Sequence, residues 1–226
     1  MRDHFLLGLA ADQRIDQVDL LVQVVVVQAM DDAVGRVLQT VSDLGEEENT
    51  LIVFLSDNGG PTWETSSSNG PLRGFKGTTH EGGIRVPFCM KWKGQIPEGL
   101  VYRNPVIQLD IVPTVMAAAG APVSAVEDLD GVDLLPYLTG EVPGRPHQTL
   151  YWRYGKQWAI RDGDDKLVVS APGPGRAPAK RPHLYDLSKD LGESRDLMTT
   201  RPVRAASLKA LWDSWSAKQA RPFPSR

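Results

Sequence analysis

Two short stretches of this chain concentrate residue types that hold ions. The first, Ser56-Asp57-Asn58-Gly59-Gly60, sets a carboxylate beside a carboxamide oxygen and follows them with two glycines. Oxygen donors of this kind suit a hard cation such as calcium or magnesium, and the glycines let the backbone turn sharply enough to aim both side chains at one point. An Asx turn, in which Asp57 and Asn58 bond only their own backbone, accounts for the five residues equally well when they are taken alone. The second stretch, Gly74-Phe75-Lys76-Gly77-Thr78-Thr79-His80-Glu81-Gly82-Gly83, carries an ammonium and an imidazole in another glycine-punctuated loop. Lys76 suits a point charge on a sulfate or phosphate oxygen, with loop amides as further donors. If the two loops meet at one sheet edge they form an anion site beside a metal, and that convergence favours ligands over a simple turn.

The elements that must position these loops follow from the apolar pattern. Leu51 to Leu55 is a short apolar run that predicts a strand buried on both faces in a parallel sheet, with the first loop at its carboxyl end, where α/β sheets bind ligands. Ile84 to Trp92 predicts a second strand. Upstream, Met30, Val34, Val37, Val41 and Leu44 recur at helical spacing, so Gln17 to Leu44 is expected to be one amphipathic helix closed by Gly45. Asp31 and Asp32 on this helix point about 100 degrees apart, which suits a solvated face better than a shared ion. The segment Pro61 to Pro71, with Trp63, reads as a surface loop at the mouth of the site. Val106 to Leu109 predicts a short strand, Asp110 the cap of a helix carrying Pro113 in its first turn, and Val132 to Leu138 a short helical piece.

In order, LIVFLSDNGG and GFKGTTHEGGIRVPF resemble the second half of the type I sulfatases, whose fold is that of alkaline phosphatase. The resemblance continues through VIQLDIVPTVMAAAGAP, GVDLLPYLTG, AIRDGDDKLV and HLYDLSKDLGESRDL, and so spans Met30 to Trp215. It implies an α/β chain: an alkaline-phosphatase-like core fragment followed by a small antiparallel-sheet-plus-helix subdomain. It also implies that Asp57 and Asn58 are calcium ligands, that Lys76 contacts a sulfate group, and that the substrate is a sulfate ester. His80 stands where the family pattern varies and is a subsidiary candidate for substrate contact. The family makes its nucleophile, a formylglycine, from the cysteine of a C-x-[PA]-S-R motif. The one cysteine here, Cys89, stands in V-P-F-C-M-K-W and reads as a small core side chain, so no formylglycine is expected among these residues. The family's upstream aspartate pair has no counterpart in the fifty or so residues ahead of the first loop. The expectation is a sulfatase lacking its first half and inactive on its own.

Composition is that of an ordinary globular protein: 226 residues, 41% hydrophobic, 23% charged, formal net charge −3. No basic stripe with interleaved aromatics points to nucleic acid. Val18 to Val27 is about half the length a membrane crossing needs, so no membrane association is expected. Asp3 and the shortness of the apolar run Phe5 to Ala11 argue against a secretory leader, although the family's members are commonly exported. Gly140 to Pro146 divides the chain into residues 1–145 and 146–226. Beyond it, Thr149 to Tyr154, Gln157 to Arg161 and Lys166 to Ser170 predict an antiparallel meander with turns at Gly155-Lys156 and Gly163-Asp164, and Leu184 to Leu187 a fourth strand. Pro202 to Lys218 predicts a covering helix with Leu208, Leu211, Trp212 and Trp215 as its apolar face. Two other functions remain compatible with these residues: a non-catalytic, sulfatase-derived binding module, and a phosphatase or phosphodiesterase of the same superfold. The first-half strands are expected to leave unpaired edges and to make the chain prone to aggregate, with the C-terminal module the better able to fold alone.

Overall fold

A computed structural model describes residues 17–65, 67–122 and 129–220. The run Phe5 to Ala11 lies outside them. Helix α1 (Gln17–Asp43) matches the helical spacing of its apolar residues, and Gly45 follows it with φ 69°, the left-handed conformation that ends a helix. No helix among the described residues is long and apolar enough to cross a membrane.

Strand β1 (Ile52–Leu55) pairs antiparallel with β2 (Phe88–Lys91), Ile52 opposite Lys91 and Leu55 opposite Phe88. This corrects the parallel, doubly buried strand. Phe54 is 43% exposed and faces Cys89, also exposed, while Val53 and Met90 are half-buried. A short apolar run fits a half-buried strand as well as a fully buried one, and only the neighbouring elements distinguish them. Cys89 is therefore a surface residue and no part of the core. Between the strands, Glu81–Ile84 forms one helical turn, α2, so the second strand is shorter than Ile84 to Trp92. The indole of Trp92 donates to the Glu48 carbonyl at 2.8 Å and Lys93 reaches Glu47 at 2.9 Å, which pins the end of β2 to the approach to β1.

Residues 108–110 form a 3-10 turn in place of the expected strand, leading into α3 (Ile111–Ala118). Asp110 is fully buried, and its carboxylate turns back to accept the Ile107 and Val132 amides at 2.8 and 2.9 Å rather than capping α3. His147 Nε2 lies 2.7 Å from the same carboxylate. One side chain thus ties three distant segments together, with α4 (Leu135–Leu138) following the second of them.

The C-terminal half is a four-stranded antiparallel meander, β3 (Thr149–Tyr154), β4 (Gln157–Asp162), β5 (Asp165–Val169) and β6 (His183–Asp186), as the alternating apolar runs and glycine turns predicted. Helix α5 (Pro202–Lys218) covers one face, burying Ala205, Leu208 and Trp212 against Ile160, Leu167 and Leu184. Leu211, predicted as part of the apolar face, is instead 39% exposed: it lies one helical step from Trp212, about 100 degrees round the helix, at the edge of the face that Leu208 and Trp212 bury. Arg204 fastens the helix to the sheet, bonding Asp165 at 2.7 Å and Asp162 at 2.8 Å. The opposite face of the sheet carries Ala159, Val168 and Tyr185, with Lys166 and Arg161 beside them by register. This second face meets the loop that bears Lys76.

Candidate functional site

The loop after β1 begins where Asp57 leaves the strand end. Asp57 Oδ1 accepts the amide of the next residue, Asn58, at 3.0 Å, and the Ser56 hydroxyl donates to the Asn58 carbonyl at 2.8 Å, so the local bonding differs from the Asx turn expected as an alternative, in which the side chain reaches two residues on. It does not consume the donors. Asp57 is exposed, its second oxygen has no bond, and the Asn58 carboxamide makes no hydrogen bond among the described residues. The Gln108 carboxamide donates to the Ser56 and Asp57 carbonyls at 3.2 and 3.3 Å, fixing the backbone that carries the pair.

The two glycine loops do meet, and they meet backbone to backbone. Gly59 N–H donates to the Gly83 carbonyl at 3.1 Å, and Lys76 N–H donates to the Gly60 carbonyl at 3.2 Å. A Cβ on Gly59 would lie 1.7 Å from the Gly82 carbonyl oxygen, and one on Gly83 would lie 2.2 Å from that of Thr78, so both positions exclude any side chain. Asn69 adds a latch that the composition of its surface loop concealed. Its Oδ1 accepts the Gly60 amide at 2.9 Å, while its Nδ2 donates to the Gly60 and Gly74 carbonyls at 3.0 and 3.1 Å. Trp63 packs edge-on against Phe75 at 4.6 Å, next to Lys76.

Asp57, Asn58 and Lys76 consequently line one broad depression, together with Gln108, Arg85 and Arg161. Lys76 is exposed and forms no ion pair among the described residues, so its ammonium is available to an anion. Burial pulls the Arg161 guanidinium down from its ordinary value, against the attraction of Glu81 and Asp164.

His80 lies elsewhere. Its ring is buried, with Nδ1 3.3 Å from Glu193 Oε2, away from the lining of the depression. It belongs to a buried charge cluster that residue spacing gave no means of finding. Lys166 Nζ donates to Glu81 Oε1 at 2.7 Å and lies 2.9 Å from Glu193 Oε1, which is out of line for a hydrogen bond. Glu193 Oε2 accepts the Glu81 amide at 2.7 Å, and Arg73 bonds the Glu193 carbonyl at 2.8 Å. Burial pushes the Glu193 carboxyl up, but His80, Lys166 and the Glu81 amide outweigh it and leave it below the ordinary value. The partners come from both halves of the chain, and Glu193 stands at φ 50°, a conformation non-glycine residues adopt at a cost.

As a cation site, Asp57 and Asn58 offer oxygen donors of the right chemistry and too few of them. Among the described residues no group of three or more His, Cys, Asp or Glu is placed to hold a metal ion. Calcium takes about six to eight oxygens, so the pair fits part of a calcium shell.

Residues 23–121 match the sulfatase family model, and residues 75–213 match that of the N-sulphoglucosamine sulphohydrolase C-terminal region, which is more than half of the chain. The chain belongs to the sulfatase family. Human arylsulfatase A is 38% identical to this sulfatase chain over 192 residues, covering 75% of it and 37% of the relative. The crystal structure of Ps i-CgsB in complex with k-i-k-neocarrahexaose superposes with a TM-score of 0.74 at 31% identity, over 84% of this chain and 41% of that one. The PsFucS1 sulfatase from Pseudoalteromonas sp. gives 0.69 at 27% identity, over 83% and 40%. The fold is accordingly the alkaline-phosphatase-like sulfatase fold, of which this chain spans about two fifths of the length of these relatives.

Proposed function

We propose that these 226 residues carry the cation- and sulfate-holding part of a sulfuric ester hydrolase of the arylsulfatase type. The observation that supports this most is the backbone-to-backbone junction of the two glycine loops, which turns Asp57, Asn58 and Lys76 toward one depression. Asp57 and Asn58 would hold calcium, and Lys76 would meet a sulfate oxygen with its ammonium. Negative charge that grows on the sulfate during ester cleavage is stabilised most by donors already in place, and Lys76 stands on a loop fixed at both of its neighbours. His80 is assigned to the buried cluster and not to substrate. Sulfated saccharides or aryl sulfates are the substrate class, in keeping with the names of the relatives.

In the family a formylglycine supplies the oxygen that attacks sulfur. Cys89, the one cysteine of the sequence, stands on the exposed face of β2 outside any C-x-[PA]-S-R segment. These residues therefore bind and orient, and hydrolysis by the chain alone is expected to be negligible. Incubation with a chromogenic aryl sulfate and calcium tests this: robust turnover that Lys76→Ala abolishes would overturn the proposal. Calorimetry tests the cation half. With two protein oxygens in place of a full shell, a Kd of about 1 mM or weaker is expected, far from the micromolar affinity of complete sensor sites.

A further inference from the structure

The Lys76 loop is held from a part of the chain the two glycine motifs do not include. Gln157, the first residue of β4, is buried, and its Nε2 donates to the Gly77 carbonyl at 2.7 Å. Its Oε1 accepts the Ser170 hydroxyl at 2.8 Å and the Ala171 amide at 2.8 Å. Ser170 Oγ in turn accepts the Thr79 amide at 3.1 Å, and the Thr79 hydroxyl donates to the Val169 carbonyl at 3.2 Å. Gly77 and Thr79 are thereby gripped by one continuous bracket built at the ends of two neighbouring strands. Two residues further on, Lys166 and Glu193 clamp Glu81 by its side chain and its amide.

We propose that Gln157 and Ser170 are positioning residues of the sulfate site, acting on Lys76 through Gly77 and Thr79. This rests on the sulfate-holding role of Lys76. The physical case is one of completeness. Both polar ends of the Gln157 carboxamide are bonded in a site closed to water, where a missing partner is costly, so the bracket tolerates one geometry. A lysine has a long, mobile stem, and its charge can be aimed only if the backbone beneath it does not move. Here the amide of Lys76 is tied to Gly60 and the carbonyl of Gly77 to Gln157, which leaves the ammonium as the free end of a stem whose root is fixed. Such preorganisation strengthens anion binding without adding a contact to the anion.

The test uses the full 226-residue chain, with amide exchange read residue by residue and inorganic sulfate titrated at constant ionic strength. Ser170→Ala removes the hydroxyl that links Thr79 to Gln157. It is expected to speed exchange at Thr79 by about tenfold, the equivalent of one hydrogen bond, and to weaken sulfate binding several-fold. Exchange at Ala159 and Val168 stays as in the parent, and Ser170→Thr, which keeps the hydroxyl, restores both readings. Gln157→Glu, which sets an oxygen against the Gly77 carbonyl, should reproduce the effect at Lys76 to Thr79. Unchanged exchange at Thr79, equal loss of protection across β4 and β5, or failure of Ser170→Thr to restore it would each overturn the inference. If the parent chain binds no sulfate at all, the proposed function falls, while the exchange readings still decide whether the bracket orders the loop.

Discussion

Glu193 shows how much of this site depends on single groups far apart in the chain. It is buried with Lys166, Glu81 and His80, and its bond to the Glu81 amide spans 112 positions. Removing its charge leaves buried Lys166 with one carboxylate, Glu81, while a carboxamide oxygen at this position can still accept the Glu81 amide. Glu193→Gln is therefore expected to destabilise the chain by about 3 kcal/mol or more, read from urea unfolding. The pH dependence follows from the sign of its shift. Its folded carboxyl ionises below the ordinary value of 4.5, so the stabilisation is complete above that pH and is lost as the pH falls through the folded value. Thermal unfolding should show constant stability from this group at pH 6 and a decline below pH 4.5 that Glu193→Gln lacks. None of this was visible in the residue pattern. Asp57, Asn58 and Lys76 announce themselves by type and by the glycines around them, whereas Asn69, Gln157, Ser170 and Glu193 are ordinary polar residues until the fold brings their partners to them.

At the scale of elements, legibility follows how local the determining interactions are. The meander β3 to β6 and helix α5 could be read from alternation, glycine turns and helical spacing, because each strand pairs with its sequence neighbour. Strand β1 could not, since its partner β2 lies beyond an intervening loop and its burial depends on what covers it. The turn at 108–110 was misread as a strand because the bonds that bend it come from Asp110, whose carboxylate prefers the Ile107 and Val132 amides. Helix α5 offers a paired test of packing. Leu208 is fully buried against Ile160 and Leu167, so Leu208→Ala is expected to cost about 2–5 kcal/mol. Leu211→Ser, on the exposed side, should change stability by no more than about 0.5 kcal/mol, and equal losses at the two positions would contradict the packing described.

The whole molecule is uneven in what it shields. Val24 to Val27, Val37, Phe54, Leu109, Val112 and Val115 all stand exposed, on α1, β1 and the approach to and body of α3, while the large buried side chains concentrate in the C-terminal sheet. Exposed apolar area of this extent on one chain favours association. Light scattering on the purified chain is expected to show self-association that grows with concentration. Hydrogen exchange should protect β4 and β5 strongly and β1 weakly. A monodisperse monomer with β1 protected as well as β5 would show the exposure to be misjudged. The bracket on the Lys76 loop also bears on how damage to the coding message would read out. A premature stop codon after Gly83 and ahead of Ser170 would leave every residue of the two glycine motifs translated, yet the transcript would yield a loop without the Ser170 hold on the Thr79 amide and, if the stop preceded Gln157, without the hold on Gly77 either.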